Sequence, residues 1–513
     1  MKQTRQSPPE RFRGAWLTAA DAREPYASAA GILHLLPRAV AIPEDADDVA
    51  LLARWASLRG ERLVPRAAGT GMPGGNVGGD VVVDLRSRFG GIGEVDSERC
   101  TVRVEPGVTR AQLNAACASR GLYLPVDPSS GDRATLGGMI ANNSAGAHSL
   151  LHGAMRGWVE ALQVVLATGE LARLERGKPP PPALRTVADG IDRALDDRAD
   201  WIVARWPRVR KNSSGYALRE YLDSGDLLDL VIGSEGTLAL VVSADVRLAP
   251  PPGAAGVALL EFTSLEAAGE AVERLLPLAP AACELLDRTF LDLVRESSPV
   301  SLREGLEAVL LIEFEAADEK GVQRSLSALR QELAAAADRV ITASDPEANT
   351  RLWELRHAAS PLIAARTDGR VSMQFIEDGV VPVARLADYV RLLRSTLARH
   401  RLPAVIFGHA GDGNLHVNPL VDVREPGWWD TVEAVLLEIA DGVAALGGTL
   451  SGEHGDGRLR APLLERIWGE EMVGLFRIVK EAFDPDGILN PGVILPLAGQ
   501  RPLDGLRSYA VAP

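Results

Sequence analysis

The chain contains 513 residues, of which 46% are hydrophobic, and it carries a formal net charge of −14 at pH 7. A chain of this length is expected to form two or three domains with sizeable cores. The acidic balance argues against a nucleic-acid-binding protein, because binding to phosphates needs a basic surface. The three cysteines form no C-x-x-C pair and are too few to hold an iron–sulfur cluster with four thiolates.

The N-terminus begins Met1-Lys2-Gln3 and lacks the apolar core of a signal peptide. No uninterrupted apolar stretch is long enough to cross a bilayer. The cysteine usage fits a reducing compartment. We therefore predict a cytoplasmic protein, with attachment at the periphery of a membrane as the alternative. The sequence leaves the oligomeric state open, and a homodimer is compatible with it.

The first predicted helix begins at Pro43 and runs through Val49 and Trp55 to about Gly60. Proline suits the first turn of a helix, and the acidic residues that follow it complement the helix dipole.

A glycine-rich loop follows, in which Gly69, Gly71 and Gly74 spell G-x-G-x-x-G. That spacing suggests a nicotinamide-binding site, but Pro73 and the later glycines preclude the helix that a Rossmann fingerprint must enter. A short buried strand is predicted at residues 81–85 instead. The backbone N–H groups of the loop remain suited to binding a diphosphate.

The alternation of residues 101–105 predicts a half-buried strand. Thr109 and Gln112 then form a predicted capping box for a helix that stops near Gly121. Cys117 faces inward on that helix and is predicted to lie in the core.

Two stretches of small residues, 127–131 and 135–146, suit a backbone that lies against a flat or phosphorylated ligand. Tight helix packing explains the second stretch equally well. The first half continues with a strand at 158–167, an exposed proline-rich loop at 179–182 and two polar segments at 211–216 and 232–238.

The sequence Ala-Pro-Pro-Pro-Gly at residues 249–253 is the predicted domain boundary. Strands and helices alternate beyond it. The predicted strands cover residues 257–262 and 309–314, and the predicted helices cover 265–276, 322–336, 383–400 and 431–446. This order predicts an α+β arrangement, with helices on one side of an antiparallel sheet.

Three of the eight histidines lie in two short segments near the C-terminus. His409 and His416 flank a glycine-rich turn between two predicted strands, so a hairpin would bring both imidazoles to one end. Glu453 adds a carboxylate to a set that suits zinc, manganese or iron(II). His454 is then a further imidazole for proton transfer. Taken singly, each histidine is more simply explained as a loop residue, but the cluster favours a functional site.

Six motifs together resemble the FAD-linked oxidases of the vanillyl-alcohol oxidase superfamily. The resemblance is to the branch that contains D-lactate dehydrogenase, the glycolate oxidase flavoprotein subunit and D-2-hydroxyglutarate dehydrogenase, and it covers roughly residues 35–495. The motifs lie at residues 65–71, 135–146, 232–238, 408–418, 451–457 and 484–492.

The resemblance implies a two-subdomain FAD-binding domain and a cap domain built from an antiparallel sheet and helices. The implied divisions are an N-terminal extension at 1–34, the FAD-binding domain at 35–249, the cap at 253–448, a segment returning to the FAD-binding domain at 449–495, and a tail at 496–513.

The resemblance also implies FAD as the cofactor. The implied FAD-binding residues are Arg66, Ala67, Ala68, Gly69, Thr70, Gly71, Asp127, Thr135, Gly138, Asn142, Asn143, Ala145, Gly146, Ile232, Glu235, Gly236 and Asn490. Residues 66–69 lack the histidine to which covalent members of the family attach FAD. A noncovalent, dissociable cofactor is therefore expected.

Carried over by position, His409, His416 and Glu453 match the metal ligands of the family, and zinc is the favoured metal. His454 matches the catalytic base. Arg356 matches the arginine that binds the substrate carboxylate, for which a guanidinium is suited. Asn418 is expected to help orient the substrate.

The implied substrate is a small 2-hydroxy acid. D-2-hydroxyglutarate dehydrogenases carry a lysine for the distal carboxylate at the position that matches Ile376. An apolar residue there favours a monocarboxylate such as D-lactate or glycolate, with D-2-hydroxyglutarate as the alternative.

Two other functions are compatible with parts of the pattern. Alkyl-glycerone-phosphate synthase uses the same flavin scaffold without redox chemistry, but no obvious apolar or basic surface serves its lipid-bearing substrate. A metallohydrolase would leave the glycine-rich stretches without a purpose. The electron acceptor stays open among an iron–sulfur subunit, a cytochrome, a quinone and an electron-transferring flavoprotein.

Overall fold

The computed structural model describes residues 7–358, 362–363 and 369–509. The strands before residue 250 are β1 Ala15–Leu17, β2 Ala39–Ile42, β3 Leu63–Arg66, β4 Val81–Asp84, β5 Thr101–Val104, β6 Val159–Val165, β7 Leu171–Glu175 and β8 Leu240–Arg247. The helices of this part are α1 Ala20–Arg23, α2 Ala46–Arg59, α3 Arg110–Cys117, α4 Leu136–Ala141, α5 Ser149–His152, α6 Arg185–Leu195, α7 Ala199–Arg205, α8 Leu218–Ser224 and α9 Leu227–Val231.

The strands after residue 250 are β9 Ala254–Phe262, β10 Ala282–Asp287, β11 Ala308–Ala316, β12 Arg339–Ala343, β13 Arg370–Ser372, β14 Gly379–Val380, β15 Ala404–His409 and β16 Asn414–Asp422. The helices are α10 Leu265–Leu275, α11 Arg288–Val294, α12 Glu319–Leu333, α13 Pro346–His357, α14 Leu386–Arg399, α15 Trp428–Ala445, α16 Gly457–Arg460 and α17 Leu464–Phe483.

The first part of the chain contains two four-stranded sheets. The first has the order β1-β2-β4-β3, with β2, β4 and β3 parallel and β1 antiparallel at the edge. The second has the order β5-β8-β6-β7 and is antiparallel. No helix occurs between Gly69 and β4, which confirms the prediction that the glycine-rich loop does not enter a helix as a Rossmann fingerprint does.

Helix starts were predicted with mixed success. The capping box of Thr109 and Gln112 is present at α3, and Cys117 is fully buried. Pro43 does not begin α2, because the Asp45 side chain accepts hydrogen bonds from Asp47 N and Asp48 N and caps the helix there.

The third sheet contains eight antiparallel strands, in the order β12-β9-β11-β10-β15-β16-β13, with β14 paired to β16. Helices α10, α12, α14 and α15 share one apolar core with one face of this sheet. The expectation of helices on one side only is wrong, since α11 and α13 pack on the other face through residues such as Phe290 and Leu355. The amphipathic patterns predict a buried helix face but not which sheet face it covers.

The C-terminal segment packs back onto the first part of the chain. Buried residues of α17, including Trp468 and Phe476, belong to the same core as β6 and β8. Asn490 N donates to Leu63 O, which adds the segment to the edge of the first sheet. Among the described residues, no helix is long and apolar enough to span a membrane.

A helical turn joins the two parts beside the cap sheet. His148, just before α5, lies between Asp127 Oδ2 at 2.5 Å and Glu313 Oε1 at 3.2 Å. His152 Nε2 lies 3.0 Å from Glu315 Oε2. Burial opposes the charge on His148, but its two carboxylate partners raise its pKa to about 11. His148 therefore links the two parts as a cation.

Glu235 binds the backbone of the segment at residues 455–457 to the part of the chain before residue 250. Its side chain is buried, and it accepts hydrogen bonds from Asp456 N and Gly457 N. A Cβ on Gly75 would lie 2.3 Å from Glu235 Oε2, so the carboxyl group fills all the available space. Burial and the nearby Asp456 carboxylate raise the pKa of Glu235 to about 8.

We expect the variant E235Q to gain thermal stability relative to the wild type as the pH rises from 5 to 9. The raised pKa means that the neutral Glu235 stabilises the fold at low pH. This contribution is lost as the pH rises from the unfolded value, about 4.3, through 8. Glutamine keeps the acceptor oxygen and does not ionise. Melting temperatures measured across this range, with the exposed E273Q as control, test this expectation; parallel curves for E235Q and the wild type would contradict it.

Candidate active site

A cavity of about 1200 Å³ lies between the first part of the chain and the cap sheet. Its volume exceeds that of a typical small-molecule pocket, so a large cofactor and a small substrate fit together. The predicted residues that line it are Arg66, Ala67, Ala68, Gly69, Thr70, Gly71, Asp127, Thr135, Gly138, Asn142, Ala145, Gly146, Glu235, Gly236, Arg356, His409, His416, Asn418, Glu453 and His454.

Three predicted cofactor-binding residues do not line the cavity. Asn143 Oδ1 accepts a hydrogen bond from Arg156 N, and Ile232 is buried in the core. Asn490 is fully buried and donates to Gly75 O and Glu235 O. These residues support the wall from behind. Small-residue motifs occur at sites of tight backbone packing as well as at ligand contacts, so the motif alone does not separate the two roles.

The wall formed by the first part is mostly backbone and small side chains. A Cβ on Gly146 would lie 2.1 Å from Asp127 O, so only glycine fits there. Asn76 and Thr135 line this wall, but Asn76 Oδ1 and Thr135 Oγ1 are themselves buried and have no hydrogen-bond partner among the described residues. Arg66 instead turns its guanidinium away and donates to Ser28 O and Asn76 O, so it holds the loop.

The opposite wall is one face of the cap sheet. His409 pairs with Asn414 and Phe407 pairs with His416 across the β15–β16 hairpin, which places both imidazoles on the same face. Gly408, between Phe407 and His409 on the same strand, has φ +153°, and a Cβ there would lie 2.6 Å from Asn414 O. The predicted hairpin is therefore present.

His409, His416 and Glu453 converge. His409 Nε2 lies 3.2 Å from His416 Nε2 and 3.3 Å from Glu453 Oε1, and His416 Nε2 lies 3.4 Å from the same oxygen. His409 Nδ1 faces Glu284 Oε1 at 2.5 Å, and His416 Nδ1 donates to Glu377 O at 3.0 Å. Because the Nδ1 atoms hold the ring proton against Glu284 and Glu377, both Nε2 atoms are acceptors when the imidazoles are neutral. Three atoms with free lone pairs this close together could coordinate a cation.

His454 lies beside this set and has its own carboxylate. Its Nδ1 lies 2.7 Å from Glu377 Oε2, which leaves Nε2 on the other side of the ring. Arg460, fully buried, contacts the second oxygen of Glu377. Burial opposes protonation of His454, but Glu377 and Asp378 raise its pKa to about 10. The arrangement of carboxylate and imidazole is that of an oriented base.

Glu453 has a second partner that sequence reasoning missed. Lys211 Nζ, buried in the interior, lies 3.0 Å from Glu453 Oε2 and 3.6 Å from Asp412 Oδ2. Burial lowers the pKa of Lys211, but its carboxylate neighbours raise it above its ordinary value overall. Nothing in the sequence of residues 211–216 assigns the lysine a partner.

Arg356 lies at the same end of the cavity as the three acceptor atoms. Its Nε donates to Glu284 Oε2 at 2.7 Å, and its guanidinium carbon lies 4.3 Å from the centre of the Phe407 ring. The only sequence signal for Glu284 is one acidic residue among the apolar residues at the start of β10.

Ile376 does not face the cavity, so the prediction that it occupies a substrate-contacting position is wrong. Its side chain is buried in the apolar core of the cap. Gln374 and Glu377 line the cavity instead. Residues 373–378 form no regular strand, so counting positions from Asp378 does not give the direction of a side chain.

Known proteins match this chain over most of its length. Residues 37–175 match the FAD binding domain family, and residues 251–494 match the family of FAD linked oxidases, C-terminal domain. Glycolate oxidase subunit GlcD of Bacillus subtilis is 32% identical over 464 residues, which are 89% of this chain and 88% of that protein.

D-2-hydroxyglutarate dehydrogenase of Pseudomonas putida is 33% identical over 96% of this chain but only 52% of its own length. The chain thus spans about half of that relative. The solved structure of 4-ethylphenol oxidase from Gulosibacter chungangensis, in complex with isoeugenol, superposes with a TM-score of 0.68 at 17% identity, covering 94% of this chain and 95% of the other. This likeness confirms the expected fold of FAD-binding domain and cap. The chain therefore belongs to the FAD-linked oxidases, and its relatives include glycolate oxidase subunit GlcD and D-2-hydroxyglutarate dehydrogenase.

Proposed function

We propose that this enzyme oxidises a small D-2-hydroxy acid, with D-lactate and glycolate favoured, to the 2-oxo acid, using noncovalent FAD and a divalent metal. The observation that carries the proposal is the convergence of His409, His416 and Glu453 on the cavity wall beside His454. A metal-ligand set and an oriented imidazole at one end of a cofactor-sized cavity suit alcohol oxidation.

FAD would be held by the backbone wall of the first part. The loop at residues 66–71, the stretch at 135–146 and the region of Gly236 supply N–H groups and close approach. FAD, when bound, supplies the acceptor for the hydride that leaves C2 of the substrate. Residues 66–69 offer no histidine for covalent attachment, which favours a dissociable cofactor.

The metal would be held by His409, His416 and Glu453. Two imidazoles and one carboxylate favour zinc, with manganese and iron(II) as alternatives. A divalent cation, when bound, supplies Lewis acidity that lowers the pKa of a coordinated hydroxyl group.

Side chains would carry out proton transfer and substrate binding. His454 Nε2 takes the hydroxyl proton, while Glu377 holds the ring through Nδ1 and stabilises the imidazolium that forms. A cation beside His454 favours the neutral ring before this step, since like charges repel. Arg356 binds the substrate carboxylate, and Asn418 helps to orient the acid.

The proposed substrate class is supported by a neutral side chain on the cavity wall. Gln374 lines the cavity and offers no positive charge to a second carboxylate. This supports a monocarboxylate, with D-2-hydroxyglutarate as the alternative substrate. We further propose that electrons leave the flavin to a separate acceptor: an iron–sulfur subunit, a cytochrome, a quinone or an electron-transferring flavoprotein.

We expect one hydroxy acid to bleach the flavin absorption band anaerobically. The panel is D-lactate, L-lactate, glycolate and D-2-hydroxyglutarate, each with and without a chelator. Bleaching by D-lactate or glycolate should be lost on chelation and restored by added Zn²⁺, Mn²⁺ or Fe²⁺, because the substrate hydroxyl needs the cation. A flavin that no hydroxy acid reduces would contradict the proposal and favour a non-redox flavin transferase. Bleaching that survives chelation would contradict the metal role alone.

We expect H454Q to slow flavin reduction by about 10²- to 10⁴-fold, the usual contribution of a general base. Binding of FAD and Zn²⁺ should change little, since His454 is not one of the three proposed ligands. Stopped-flow reduction and Zn²⁺ titration of the two proteins measure both effects. H400Q is the matched control, because His400 contacts Glu438 away from the cavity. An unchanged rate in H454Q would remove His454 from the proton transfer.

A further inference from the structure

Strand pairing on both sides of Glu284 fixes the direction of its side chain. It lies in β10, between β11 and β15, and pairs directly with His409 across the ladder. Its neighbours Cys283 and Leu285 point into the apolar core on the other face. Cross-strand partners in an antiparallel pair project on the same side, so Glu284 and His409 must meet. The Glu284 side chain is fully buried.

Each carboxylate oxygen of Glu284 has one partner from the site. Oε1 lies 2.5 Å from His409 Nδ1, and Oε2 accepts from Arg356 Nε at 2.7 Å. The first bond keeps the His409 proton on Nδ1 and turns Nε2 towards Glu453. The second engages Nε of Arg356, while the Phe407 ring supports the face of the guanidinium. One side chain therefore sets the orientation of both groups.

Stability alone does not account for a carboxylate here. Burying an ion in a central strand is costly, and an apolar residue of similar volume is often as stable or more so. Strand β9, which is separated from β10 by β11, offers a comparison: Glu261 is equally buried, but its one ion-pair partner among the described residues is Arg339, at 3.5 Å. Glu261 does not line the cavity, whereas Glu284 does.

We infer that Glu284 is a positioning residue that couples the metal-binding imidazole of His409 to the substrate-binding guanidinium of Arg356. This rests on the proposed function and adds a residue to it. A carboxylate is needed because it has two acceptor oxygens. Glutamine has a single acceptor oxygen, and its NH₂ group repels the N–H of the other partner, so the side chain must shift and neither bond keeps its geometry.

The test compares E284Q with the wild type by two independent readouts. The first is the dissociation constant of Zn²⁺, titrated into the chelator-treated FAD-loaded protein without substrate. The second is the KM, at saturating Zn²⁺, for the acid that bleaches the wild-type flavin. We expect the Zn²⁺ constant to rise about 10- to 100-fold, as for other groups that orient metal-ligating histidines. KM should rise at least about tenfold, the factor that corresponds to loss of one charge-assisted hydrogen bond.

E261Q is the matched control, since it removes an equally buried charge from the same sheet. It should leave both constants within about twofold of the wild type, the scatter of a substitution distant from the site. E284D keeps the charge in a side chain one methylene shorter, and it carries the same test if E284Q does not fold. With E284D both constants are expected to rise, because the shorter side chain draws the carboxylate back from both partners.

Several outcomes would overturn the inference. A normal Zn²⁺ constant or a normal KM in the Glu284 variant would show that the residue does not couple the two groups. Equal changes in E261Q would assign the effect to general weakening of the cap. If the wild type itself bound no Zn²⁺, the proposed metal role would fail and the inference with it.

Discussion

Asp378 is the constraint on which the arrangement of the site depends. It is fully buried, and its Oδ2 accepts hydrogen bonds from Ser451 Oγ at 3.0 Å, Glu453 N at 3.1 Å and His454 N at 2.9 Å. Asn414 Nδ2, at the start of β16, donates to Oδ1 at 3.1 Å. One carboxylate thus holds the Glu453–His454 segment against the hairpin that carries the two other proposed ligands. Charge-assisted hydrogen bonds in a buried site are strong, so this geometry is held firmly before any ligand arrives.

The parts of the site that could be predicted are those with a local signature. The hairpin of His409 and His416 follows from a glycine-rich turn between apolar strands, and the small-residue stretches of the first part indicate close backbone approach. Glu284 and Lys211 could not be predicted in the same way. Each acts through a partner distant in the chain, and only the sheet register or the packing of the two parts makes the pair visible. The type of a residue alone does not show which distant residue it contacts.

The errors have equally physical causes. Ile376 was assigned to the cavity by its offset from Asp378, but an irregular segment has no fixed period and the side chain turned to the core. Helices α11 and α13, which pack on the second sheet face, were not among the predicted helices, so the sequence indicated helices on one face only. Asn143 and Asn490 were placed at the ligand because they stand in small-residue motifs, although their amides satisfy the backbone behind the wall.

The balance of buried charge gives a further reason to expect a cation. Five carboxylates surround the cluster: Glu284, Glu377, Asp378, Asp412 and Glu453. Four basic side chains face them: Arg210, Lys211, Arg356 and Arg460, which leaves an excess of one negative charge.

The protein alone compensates for this excess by protonating imidazoles. Although burial opposes it, the carboxylates raise the pKa of His409 to about 9 and that of His454 to about 10. A divalent cation among His409, His416 and Glu453 would supply positive charge in place of these protons. It would thereby return His409 to the neutral form that binds a metal and His454 to the neutral form that accepts a proton. The negative charge around the cluster would thus favour binding of the proposed metal, and the bound metal would favour the neutral form of His454 that acts as the base.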